Sequence, residues 1–208
     1  MKAVLIFGLL IISLTSFAFE GEFKLLRQNL YDTSTIIYYV KGDLIRIEEY
    51  NINNRLIKSY LINQKDQKIY SLNSSKKMFK EIPYHQVKES ISDQSIKIIK
   101  TENTKVINGI VCEQWRARNT SKNTEITYWV SPKNPVLPAK FLSLFSTSNN
   151  IIDFYMSIPE NNGFTPFYII ERTLVRNERE SIKISAITSK PLADNLFIVP
   201  SGYKKLGD

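Results

Sequence analysis

Short runs of β-branched and aromatic residues, set apart by turn-forming residues, repeat along almost the whole of this sequence. They read TSTIIYYVK, DLIRIEEY, RLIKSYLI, QKIYSL and KMFKEI, then, after a break, SIKIIKTE, TKVI, IVCEQWRAR, TEITYWV, PFYIIERTLV and ESIKISAIT. Such residues suit a pleated, half-buried surface. Between the runs stand Lys41-Gly42-Asp43, Asn51 to Asn54, Asn73-Ser74-Ser75, Asn108-Gly109 and Arg176 to Arg179. Asn-Gly between apolar runs supplies the two positive-φ residues of a tight hairpin turn. Connections this short join antiparallel neighbours, whereas a parallel pair needs a crossover of a dozen or more residues. The pattern predicts an antiparallel meander and argues against a doubly wound βαβ sheet.

Alternation assigns faces. In ESIKISAIT it puts Ile182, Ile184 and Ala186 on one face, with Lys183 and Ser185 on the other. In TEITYWV it puts Ile126, Tyr128 and Val130 opposite Thr127 and Trp129. TIIYYV and FYIIERTLV are apolar on both faces for part of their length, as strands covered from both sides are. Two segments follow helical spacing instead: residues 134–148, with Leu137, Phe141, Leu144 and Phe145 on one stripe, and residues 149–160, with Ile151, Phe154, Tyr155 and Ile158. PYHQVKESIS reads as a third, shorter helix. The predicted fold is α+β and mainly antiparallel β, one sheet curled around helices in a single domain.

The first residues read as a targeting signal rather than part of that fold, with a retained N-terminal anchor as the alternative. Lys2 gives a positive start, Ala3 to Leu14 an apolar stretch, and Ser16-Phe17-Ala18 a small-x-small cleavage site. The stretch is short of the about 20 residues that span a bilayer. Residues 1–18 are therefore expected to be a cleaved signal peptide and 19–208 the mature domain, periplasmic or secreted. Phe19, not a cysteine, follows the cleavage site, so no lipid anchor is expected there. The formal charge of +8 is scattered. No zinc-finger, helix-turn-helix or RNP pattern accompanies it, which speaks against nucleic acid. Peripheral contact with an anionic membrane is compatible with it.

Little in the chain is arranged for catalysis. Cys112 and His85 are the one cysteine and the one histidine, so no internal disulfide is available. A Cys112/His85 hydrolase is conceivable through space, but no nucleophile signature surrounds either residue. Cys112 lies in a strand just past Asn108-Gly109, where a free cysteine usually packs as a small hydrophobe. One histidine and one cysteine cannot build a structural zinc set, and no metal or cofactor is expected. Glu48-Glu49 and Glu178/Glu180 read as solvated strand-edge charges. Above background stands an aromatic surplus, 11 tyrosines and 11 phenylalanines, which either fills a core or lines a cavity.

Four stretches carry a family resemblance: IYYVKGDLIRIEEYN, YLINQKDQKIYSLNSSKKMFKEIP, TKVINGIVCEQWRARN with TEITYWVSP, and SKPLADNLFIVPSGYKKL. Together they resemble the LolA/LolB-type lipoprotein-carrier superfamily, and within it an uncharacterised domain-of-unknown-function branch of exported bacterial proteins. The resemblance implies a curved half-barrel with helices on the concave face, over an apolar cavity that holds acyl chains. It matches Arg46 to the carrier arginine that helps hold a helical lid to the sheet. Two departures stand out: Lys41-Gly42-Asp43 replaces the carriers' proline turn, and FLSLFSTSNNIIDFYM takes the place of the lid.

The expectation is a non-enzymatic, monomeric binder of a lipid, a lipoprotein acyl chain or another apolar ligand. Its candidate site residues are Tyr38, Arg46, Tyr60, Trp115, Trp129, Phe141, Leu144, Phe145, Phe154 and Tyr155. The alternative is an envelope protein-interaction module with a filled core.

Overall fold

The computed structural model describes residues 19–83, 97–119, 123–132, 150–156, 158, 161 and 163–207. The strands run β1 (Glu20–Asn29), β2 (Thr33–Lys41), β3 (Leu44–Asn51), β4 (Leu56–Asn63), β5 (Lys68–Asn73) and β6 (Met78–Ile82). They continue as β7 (Lys97–Ile107), β8 (Ile110–Asn119), β9 (Thr124–Pro132), β10 (Phe164–Thr173), β11 (Glu178–Ser189) and β12 (Lys204–Lys205). Among the described residues, one helix, α1 (Asn150–Met156), lies between β9 and β10. The predicted helix at 134–148, with Phe141, Leu144 and Phe145, falls outside the described residues, as does PYHQVKESIS beyond Pro83.

The twelve strands of the described residues form one sheet in the order β12-β6-β5-β4-β3-β2-β1-β11-β10-β9-β8-β7. Two meanders, β1 to β6 and β7 to β11, are joined where β1 pairs antiparallel with β11. Among the described residues β7 and β12 are the edge strands, and the sheet is an open half-barrel, the architecture the resemblance implied. Its hairpins carry the turn chemistry read from the sequence. Asn108 and Gly109 adopt φ of 51° and 76°, a pair of left-handed residues that turns β7 directly into β8.

Register sorts the side chains onto two faces. One face carries Phe23 and Leu25 from β1, Ile36, Tyr38 and Val40 from β2, and Ile45 and Ile47 from β3. On the other side of β1 it continues through Ile184 and Ile182, Ile169, Tyr128 and Ile126, then Trp115 and Ala117. All of these are buried. The alternation predicted for TEITYWV holds, with Ile126, Tyr128 and Val130 essentially inaccessible. In ESIKISAIT it holds only to Ile184. A bulge at Lys24/Leu25 pairs Lys24 with Ala186 and Leu25 with Ile184, which turns Ala186 outward and brings Ile187 opposite Phe23. An extra residue in one strand of a pair shifts the period-two pattern in this way.

The opposite face is polar at the Arg116, Glu125 and Arg172 end of β8 to β10, carries Trp129 and Tyr168 further along, and is covered over β2 and β3, where the C-terminal segment crosses it. The backbone N–H of Lys190 donates to Glu20, and Leu192 N–H to the Glu20 carboxylate at 2.6 Å. A 3₁₀ turn at Asp194–Phe197 follows, with Leu192 and Phe197 buried. The chain then reaches the far edge, where β12 pairs parallel with β6. This strap explains why TIIYYV is apolar on both faces.

Candidate functional site

Among the described residues, α1 lies over the apolar face, above β9 to β11. Ile151, Ile152 and Tyr155 are buried there, and Phe154 is half-buried. Ring centroids of Tyr128 and Tyr155 stand 5.0 Å apart at 50°. Tyr128 donates to the Ile151 carbonyl and Tyr155 to the Phe164 carbonyl, each at 3.1 Å. Burial, with Tyr155 and the Glu171 carboxylate nearby, holds the Tyr128 phenol well above its ordinary pKa. Burial does the same to Tyr155. Both are hydrogen-bond donors at any physiological pH, not acids. Trp115 adds to this corner, its ring 4.7 Å from Phe164 and its indole N–H on Glu113 at 2.7 Å.

The sheet places the candidate residues unequally. Tyr38, Trp115 and Tyr155 are buried on or against the apolar face, and Tyr60, opposite Ile47, shares it half-buried. Arg46 and Trp129 do not. Arg46 pairs in register with Tyr39 and Leu61 on the other face. Its guanidinium meets Glu48 at 2.6 Å and the Leu196 carbonyl at 3.1 Å, so it fastens the C-terminal strap rather than α1. Trp129 lies beside Gln114 and Tyr168, with the Lys105 ammonium 5.7 Å from its ring.

Cys112 is fully buried, and desolvation pushes its thiol up to about 11. The thiolate that nucleophilic chemistry requires is disfavoured there. His85 lies outside the described residues. No group of three or more metal-ligating side chains occurs among the described residues.

Sequence reasoning missed an ionic cluster at the rim of the apolar face. Glu49, 8% exposed, accepts from Ser34 at 2.9 Å and pairs with Lys58 at 3.0 Å and Arg27 at 3.6 Å. Arg27 also holds Glu180 at 2.8 Å. The reading of Glu48-Glu49 as solvated is thus corrected: both are buried and partnered, one on each face. Burial and the Glu49 charge raise the Tyr38 phenol as well. No local signal announces this cluster, because Arg27 and Glu180 meet only when β1 pairs with β11.

Between α1 and the sheet, Leu25, Ile152, Pro166, Phe167, Ile169, Ile182 and Ile184 enclose an apolar cavity of about 10 Å³. That holds at most one water-sized probe.

A family model described as a domain of unknown function, DUF4412, matches residues 19–203. The chain belongs to this family. The DUF4412 match spans both meanders, α1 and nearly all of the strap, so the apolar face and the strap are parts of one family domain. A search of curated proteins found no match to the sequence. Among solved structures, an uncharacterized conserved protein from Thermus thermophilus is similar over 90% of each chain, with 9% identity and a TM-score of 0.50. That likeness concerns the fold alone. A Pseudomonas aeruginosa MucA/MucB complex is similar at 8% identity and a TM-score of 0.49, over 85% of this chain and 54% of that one. The DUF4412 chain thus spans about half the length of that relative.

Proposed function

We propose that this protein is an exported, non-enzymatic binder that holds a lipid, a lipoprotein acyl chain or another apolar ligand on the concave face of its half-barrel. The supporting observation is the continuity of that face. Apolar and aromatic side chains run across it from Ile69 on β5 to Trp115 on β8, and among the described residues it carries one short helix. Transfer of an acyl chain to such a surface is worth about 0.8 kcal/mol per buried CH₂, enough for tight binding without covalent chemistry. The aromatic corner of Tyr128, Tyr155 and Trp115 would form one end of the site and the Glu49 cluster its polar rim. The signal-like residues 1–18 support a periplasmic or secreted location, and a monomer suffices for this role.

A second reading has its own observation. The cavity under α1 is of about 10 Å³, so a ligand must displace α1 or sit beside it. If it does neither, the protein is an envelope interaction module with a filled core. Phe154→Asp and Phe145→Asp variants, extracted for co-purifying lipid, test the site. Normal folding with loss of lipid supports it; normal folding with full lipid occupancy puts the ligand elsewhere.

A further inference from the structure

The opposite face of β8 to β10 holds a groove of about 550 Å³, unrelated to the apolar face. Register sets Arg118, Glu125 and Arg172 in one cross-strand row, with Arg116 beside Thr127 in the next. Arg176 joins them from the β10–β11 turn. That turn is pinned: Arg176 N–H donates to the Thr173 carbonyl at 2.8 Å and Asn177 N–H to the Thr173 hydroxyl at 3.1 Å. Four arginines therefore line the groove with one carboxylate, Glu125. Arg116 takes Glu125 through two hydrogen bonds, at 3.1 and 2.6 Å. Arg172 reaches Glu178 at 3.3 Å. Arg118 and Arg176 are exposed, with no carboxylate partner among the described residues.

The same turn exposes apolar side chains. Leu174 lines the groove, and Val175 beside it is 78% exposed. β1 pairs with β11, so the neighbouring hairpin tip is the β1–β2 turn, where Leu30 and Tyr31 are 65% and 94% exposed. Guanidinium forks match phosphate oxygens. Apolar tips beside uncompensated cations match a surface that offers hydrocarbon below negative charge.

From this juxtaposition we infer that the groove is a head-group site for an anionic membrane lipid: Arg118 and Arg176 take the phosphate while Leu174, Val175, Leu30 and Tyr31 enter the interface. The site lies on the face away from α1, so it stands or falls independently of an apolar ligand there.

Co-sedimentation with vesicles of phosphatidylcholine, with and without phosphatidylglycerol, tests it. The expected result is binding that requires phosphatidylglycerol and weakens with salt. Binding falls about fivefold for each of Arg118→Ala and Arg176→Ala, and Val175→Ser weakens it further. These exposed positions leave the thermal transition in place, which a melt checks. Unchanged sedimentation of the Arg118→Ala/Arg176→Ala variant overturns the assignment. So does a wild-type chain that ignores the vesicles while inorganic phosphate shifts the arginine side-chain resonances, because the groove then serves a free anion.

Discussion

Tyr128 on β9 and Tyr155 on α1 face each other at 5.0 Å, yet neither hydroxyl bonds the other. Tyr128 reaches up to the helix backbone at Ile151, and Tyr155 reaches down to the sheet backbone at Phe164. The two bonds run in opposite directions across one junction. A seven-residue helix is too short to be stable by itself, so this reciprocal clasp and the burial of Ile151, Ile152 and Tyr155 hold it in place.

Removing half the clasp should therefore cost little and removing the ring much. Tyr155→Phe forfeits one hydrogen bond, about 0.5–1.5 kcal/mol, and leaves the Phe164 carbonyl unbonded by a side chain. Tyr155→Ala also opens a cavity, and costs about 3–5 kcal/mol. Urea denaturation of the two variants measures both; equal losses would show that the ring contributes nothing beyond its hydroxyl.

Cys112 should be inert in the folded protein. A buried thiol at about 11 stays protonated at pH 8, and an alkylating reagent should modify it only on unfolding. The sign of the pH effect follows. The unfolded thiol ionises near 9 while the folded one holds its proton to about 11. The stabilisation is whole below pH 9 and is lost as pH rises through 11. Raised Tyr38, Tyr128 and Tyr155 phenols act in the same direction at higher pH. Melts between pH 8 and 11 check this: the melting temperature should decline, and the Cys112→Ala variant should decline less.

The Glu49 cluster is a structural commitment, unlike the exposed pair Arg172–Glu178. Arg27→Ala takes one cation from Glu180 and from Glu49, which keeps Lys58 and Ser34, and should cost about 1–3 kcal/mol. Glu178→Ala should cost less than about 1 kcal/mol. Chemical denaturation of both variants orders the two effects, and the reverse order would be contradictory.

Arg46 should govern the strap and not α1. In Arg46→Ala, amide hydrogen exchange is expected to quicken at residues 192–206, while amides of β9 and β10 beside the helix keep their protection. Faster exchange confined to α1 and β9 would instead return Arg46 to a lid-holding role.

Much of this architecture was legible in the sequence. The hairpin at Asn108-Gly109 followed from turn chemistry, and the buried face of β9 from strict alternation. The half-barrel followed from the motif resemblance. Three things were not legible, each for a physical reason. Ala186 changes face because a bulge, which has no composition of its own, breaks the period. Arg46 and Trp129 fall away from Tyr38 and Tyr60 because alternation says which residues share a face but not which face the helix covers. The Arg27–Glu49–Glu180 cluster spans 153 positions from Arg27 to Glu180, and only strand order brings them together.

The measurement to make is native mass spectrometry of the mature chain purified from a bacterial periplasm, with lipid extraction of the same sample. The proposed function predicts a discrete added mass that extraction identifies as lipid, lost from the Phe154→Asp variant while its fold persists. A clean apo mass that does not change when lipids are added would contradict it and leave a filled-core interaction module.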